Sequence, residues 1–222
     1  MIATKKFYDK TADIYDMRQQ NNWTDTLRRA EIALISKYAH GCVLDIGCGT
    51  GFHLAWLSAN TDCELIGLDV SPAMLSSASI TAPNAKLVEG NAERIPFGEN
   101  EFDTVLCMFS TLNLCDYNKA LAEIRRVLKP NGHAILSVSS MWDNSGKSEK
   151  RIRMEKAIIR LHLFEAAELR SAVEQSRLRV IEFDSIFRAA RPRWGDWQSK
   201  VIEDMSKPVD RGAMYLLVLE KR

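Results

Sequence analysis

The chain predicts an open α/β fold: a doubly wound, mostly parallel sheet with helices on both faces. Three observations carry that expectation. First, Val43-Leu44-Asp45-Ile46 reads as a buried strand that runs into Gly47-Cys48-Gly49-Thr50-Gly51 and then a helix. Second, Glu64-Leu65-Ile66-Gly67-Leu68-Asp69 is a second apolar strand ending in a carboxylate about 20 residues after the glycine turn, the spacing of nucleoside-binding sheets. Third, apolar runs of strand length alternate with helix-period segments over most of the chain, which favours a parallel sheet.

The elements follow in order. Residues 5–22 are polar and amphipathic, and a helix over 24–39 presents Leu27, Ala30, Ile32, Leu34, Ile35 and Tyr38 as an apolar face. Strands are predicted at 42–46, 64–69, 85–89, 102–108 and 132–139. Helices are predicted at 51–59, 72–80 and 116–128. Ser71-Pro72 supplies an N-cap and a first-turn proline for the second of these. Pro130-Asn131-Gly132 marks a turn. The composition shifts near 141, after which a helix at 165–176, a strand at 178–187 and a last strand at 214–220 are expected.

A length of 222 residues fits one domain, with 1–40 as an N-terminal lid and helices, 41–140 as the ligand-binding core and 141–222 as an acceptor-side insertion with the closing strands. A net charge of +1 gives no bulk pull toward nucleic acid or membrane. No run of eighteen apolar residues predicts a membrane span, and Met1-Ile2-Ala3-Thr4-Lys5-Lys6 has no leader-like apolar region. The cysteines at 42, 48, 63, 107 and 115 are odd in number and lack Cys-x-x-Cys spacing. They read as reduced thiols of a cytoplasmic protein, with no metal site.

The glycine turn is not the dinucleotide fingerprint, because bulky Phe52 stands where that pattern needs a small residue. That argues against a nicotinamide dehydrogenase. Five segments in order resemble the class I methyltransferases that use S-adenosylmethionine, of the small single-domain kind found among quinone-biosynthesis enzymes. They are Asp45–Gly51, Gly67–Ser71, Glu89-Gly90-Asn91-Ala92-Glu93-Arg94-Ile95-Pro96-Phe97, Phe102–Cys107 and Glu123–Gly132. The resemblance implies a seven-stranded Rossmann-like sheet whose last strand runs antiparallel between the fifth and sixth. It also implies a cofactor set of Tyr8 and Tyr15 from a lid, Asp45, Gly47, Cys48, Gly49 and Gly51 from the first turn, Asp69, Val70 and Met74 at the ribose and adenine, and Asn91, Ala92 and Cys107 beyond. S-adenosylhomocysteine would be the product. Asn91 departs from the family's usual aspartate, and Leu112-Asn113 replaces its common polar pair, so no catalytic residue is assigned.

The acceptor is expected to be a small molecule. No Asn/Asp-Pro-Pro-aromatic tetrapeptide follows the fourth strand and no Pro-Cys dipeptide is present, which argues against the common DNA-amine, protein-glutamine and cytosine-C5 chemistries. Nucleic acid or protein acceptors, and a non-catalytic cofactor-binding regulator, stay open as alternatives; the oligomeric state is unassigned. His53 reads as a solvated or capping histidine rather than a base. The basic stretch 147–160 has two readings, the polar face of a helix or a surface for an anionic acceptor. Trp194 and Trp197, with 16–23 and 141–146, are placed near the acceptor.

Overall fold

The computed structural model describes residues 2–141, 147–154, 157–186 and 213–222. Two short helices open the chain, α1 (Ile2–Asp9) and α2 (Ala12–Arg18), where the sequence suggests one amphipathic segment. Then come α3 (Asn22–Tyr38), β1 (Cys42–Ile46), α4 (Phe52–Asn60), β2 (Glu64–Asp69), α5 (Pro72–Thr81), β3 (Lys86–Glu89) and β4 (Phe102–Cys107). After a 3-10 turn at Thr111–Leu114 follow α6 (Tyr117–Val127), β5 (Leu128–Ser139), β6 (Glu149–Met154), β7 (Ala157–His162), α7 (Ala166–Gln175), β8 (Leu178–Ile186) and β9 (Met214–Lys221).

Seven strands form one sheet in the order β3-β2-β1-β4-β5-β9-β8. The pairs from β3 to β5 are parallel, and β9 runs antiparallel to both β5 and β8, as the resemblance implies. The order reverses between β1 and β4, so a crevice opens at the carboxyl ends of these strands. Side chains alternate across the sheet. Val43, Leu65, Leu106 and Ile135 pack with Leu27, Leu54 and Leu57 on one face. Leu44, Ile66, Val105 and Leu136 pack with Leu121, Ile124 and Leu169 on the other.

Two local readings change. β5 begins at Leu128, and the turn residues fall inside a register shift: Leu128 pairs Phe102, but the next pair is His133 with Thr104. Asn131 sits there at φ 63°, an excursion that asparagine tolerates. The basic stretch is not a helix. It forms the hairpin β6–β7 because Arg151-Ile152-Arg153 and Ile159-Arg160-Leu161 alternate with period two around β-branched residues.

Candidate cofactor and acceptor site

The crevice is a cavity lined from six segments. The first turn gives Gly47 and Gly49; the end of β2 gives Leu68, Asp69 and Val70; α5 gives Met74; and the turn after β3 gives Gly90, Asn91 and Ala92. The lid gives Thr4, Tyr8 and Tyr15. Beyond β4 lie Met108, Phe109, Thr111, Leu114 and Cys115.

The first turn is shaped by glycine. Gly47 has φ 71°, and a Cβ there would strike the Thr111 side chain at 2.3 Å. Gly51 has φ 86°, and its bare backbone lies on Ala78 of α5. A Cβ on Gly49, by contrast, would meet no atom within 4 Å, so that backbone faces open space on the ligand side.

Asp69 is fixed by two backbone donors. Its Oδ2 accepts from the Gly49 N–H and its Oδ1 from the Ser71 N–H, both at 2.9 Å. Burial raises its pKa, partly offset by those N–H groups. Each oxygen keeps a lone pair for a further donor, which suits a ribose diol. Met74 is 1% exposed yet reaches the cavity wall, so it serves both packing and lining. The Asn91 Oδ1 accepts from the Glu93 N–H at 3.0 Å, and the residue lines the cavity.

Asp45 lies beneath the first turn, 1% exposed, and neither carboxylate oxygen has a hydrogen-bond partner. Burial pushes its pKa up to about 6, against the field of His53. An unpaired buried carboxylate is costly unless a cation meets it. S-adenosylmethionine carries such a cation in its amino group, so an unpaired buried carboxylate at this turn fits that cofactor.

Helices α1 and α2 are tied across the cavity by side-chain bonds. Ser71 Oγ donates to Asp9 Oδ1 at 2.6 Å, Thr50 Oγ1 donates to Asp16 Oδ1 at 2.9 Å, and Lys5 pairs with Glu89. The Tyr8 and Tyr15 rings meet edge to face at 6.1 Å. Burial pushes both phenols well above their ordinary values, so they stay neutral.

Four residues of the expected cofactor set do not line the cavity; one is Asp45, buried beneath the first turn. Cys48 is buried in the core against Gly67. Gly51 packs on α5. Cys107 points to the other face of the sheet, where its neighbours are core residues, and Met108 and Phe109 occupy the site instead. The lid aspartates and the Phe109–Cys115 wall have no motif of their own in the sequence.

His53 is not solvated. It is 8% exposed, with Nε2 3.0 Å from Oε2 of Glu31, which is itself fully buried. The other Glu31 oxygen accepts from Ser137 Oγ and from the Phe109 N–H at 3.3 Å. This network braces Phe109 and Ser110, both in the left-handed region at φ 51° and 67°. Asn113, of the Leu112-Asn113 pair, is 2% exposed, and its amide bonds Ser139 and His162 backbone, a structural tie. Residues 142–146, Trp194 and Trp197 lie outside the described residues.

Residues 44–136 match the family model described as a methyltransferase domain. Over this core the chain is similar to the class I methyltransferases that use S-adenosylmethionine. It is 38% identical over 144 residues to an uncharacterized protein of Methanocaldococcus jannaschii, covering 64% of this chain and 54% of that protein. It is 37% identical over 134 residues to the demethylmenaquinone methyltransferase of Staphylococcus carnosus, covering 58% and 54%. The chain thus spans about half the length of these curated relatives. The fold matches a Haloferax volcanii protein solved in complex with the methyltransferase activator Trm112, with TM-score 0.71 and 22% identity over 97% of this chain and 96% of that one. Among the described residues, no helix is long and apolar enough to cross a membrane.

Proposed function

We propose that the protein transfers the methyl group of S-adenosylmethionine to a small, apolar-bodied acceptor by in-line displacement. The observation that carries this reading is the convergence of Tyr8, Tyr15, Gly47, Gly49, Asp69, Val70, Met74, Asn91 and Ala92 on one cavity. When bound, the cofactor supplies an already activated methyl group, so the chain has mainly to orient and to exclude water.

Asp69 would hold the ribose hydroxyls, Asn91 and Met74 the adenine, and Asp45 the amino group. Tyr8 and Tyr15 would close over the sulfonium with neutral aromatic faces. The acceptor wall is largely apolar: Met108, Phe109 and Leu114. Its titratable group is Cys115, whose thiol burial pushes up to about 12. No described residue on that wall takes a proton near neutral pH, which favours an acceptor atom that is already deprotonated or a free lone pair. The relatives named demethylmenaquinone methyltransferases support an aromatic acceptor of this kind.

The test is calorimetric titration with S-adenosylmethionine, S-adenosylhomocysteine and NADH on the wild type and Asp69→Ala, followed by an acceptor screen. Micromolar binding of the first two, lost in the variant, is expected. Binding of neither overturns the reading, NADH binding alone points to a dehydrogenase, and binding with no turnover across the screen points to a regulator.

A further inference from the structure

We propose that the outer face of the β6–β7 hairpin docks the protein on an anionic lipid surface. Residues 147–162 hold six basic side chains, Lys147, Lys150, Arg151, Arg153, Lys156 and Arg160, against Glu149 and Glu155. The whole chain carries only +1, so the positive charge is concentrated here and the remainder is net acidic.

The hairpin has two unlike faces. Residues directly opposite in an antiparallel pair share a face. Ile159 and Leu161 face inward and pack with Leu163 on Phe7 of the lid. Arg151 stands opposite Arg160 on the other face, and both are exposed. Like charges set directly across a strand pair repel. Arg151 has an exposed contact to Glu149 at 3.2 Å; among the described residues Arg160 has no carboxylate partner. The Arg151–Glu149 contact offsets this placement only in part, and an external anion would offset it further.

The apolar neighbours select the kind of anion. Ile158 is 46% exposed on the arginine strand, and Ile2, on the lid helix packed against β7, is 77% exposed. Arginines beside exposed isoleucine suit the headgroup–acyl boundary of a bilayer. A nucleic-acid surface would instead offer rings for base stacking. The ring available on this hairpin, His162, is already stacked on Tyr117, with Nε2 2.8 Å from Oε1 of Glu168. The inner face of the same hairpin holds Phe7 beside Tyr8 of the cavity, so docking by the outer face would bring the lid and cavity mouth close to the membrane, one hairpin thickness away.

The experiment is flotation of the whole protein with phosphatidylcholine vesicles and with vesicles carrying about one-third phosphatidylglycerol, over a salt series. Binding to the anionic vesicles alone is expected, weakening with salt. It should fall about tenfold or more in Arg151→Glu/Arg160→Glu and severalfold in Ile158→Ser, with the thermal midpoint of each variant within a degree or so of wild type. No binding, equal binding to both vesicle types, or wild-type binding by the double variant overturns the proposal. So does hairpin-dependent binding of a labelled single-stranded homopolymeric RNA that outcompetes the vesicles. If S-adenosylhomocysteine fails to bind while vesicle binding persists, only the methyl-transfer reading falls.

Discussion

Thr50 Oγ1 donates to Asp16 Oδ1 at 2.9 Å, joining the floor of the cofactor site to the second lid helix. With the Ser71–Asp9 bond, it ties helices at the start of the chain to two turns of the sheet.

If these bonds hold the lid down, each is worth about 1 kcal/mol, or roughly fivefold in ligand release. Thr50→Val keeps shape and removes the donor. Asp9→Ala removes the other bond and leaves the Ser71 N-cap intact. Stopped-flow displacement of S-adenosylhomocysteine should show faster release in each and the fastest in the pair, with little change in urea unfolding.

Asp45 sets stability against binding. A buried carboxyl with a raised pKa contributes stability when protonated, fully so below its ordinary value of 3.8, and loses it as pH rises through about 6. Asp45→Asn should therefore be more stable than wild type above pH 6, by about 3 kcal/mol, with the gap closing toward pH 4. The same substitution should weaken S-adenosylhomocysteine by tenfold or more on the order of a lost charged hydrogen bond. Thermal melts across pH and calorimetry check the two halves.

One lone pair of the Asn91 oxygen is taken by the Glu93 N–H, so the residue offers a ligand a single acceptor site where an aspartate would offer a second oxygen. An adenine amino group needs an acceptor. Asn91→Asp should tighten cofactor binding by roughly fivefold, read by calorimetry. Unchanged affinity would mean that Asn91 does not meet the adenine.

Glu31 braces the acceptor wall through Ser137 and Phe109. Glu31→Ala leaves the buried His53 ring and the Ser137 hydroxyl short of a partner, while the Phe109 N–H keeps Ser137 Oγ at 2.6 Å, and should cost about 3 kcal/mol in urea unfolding. Burial disfavours the His53 cation, but the Glu31 bond and the fields of Glu31 and Asp45 together outweigh it and raise its pKa. The imidazolium's contribution is thus fully present below the ordinary histidine value of 6.5 and lost as pH rises through the raised one. Histidine NMR titration in Glu31→Gln should show His53 titrating lower than in wild type.

What the sequence disclosed was what depends on near neighbours. The glycine turn, Asp69 and the Ser71-Pro72 cap are local in chain order, and all fall where the pattern put them. Cys107 was misplaced by a single step: successive strand residues face opposite ways, so one position decides between site and core. The hairpin was hidden because its charges read as a helix surface until the period-two alternation was paired across strands. Glu31 with Ser137, and Asp16 with Thr50, have no signature at all, since each pair is brought together only by the finished fold.

The position of β9 has a kinetic consequence. β5 and β8 cannot join one sheet until β9 slides between them, and Ser139 meets Met214 only after a long excursion of the chain closes. Such non-local pairing is slow, because chain entropy is lost before contacts compensate. Until then β5 exposes an unpaired apolar edge running through Ile135, Leu136 and Val138, a template for joining another molecule. Refolding yield should therefore fall with protein concentration more steeply than native stability would suggest, and the half of the sheet around β1 should gain its protection from hydrogen exchange first.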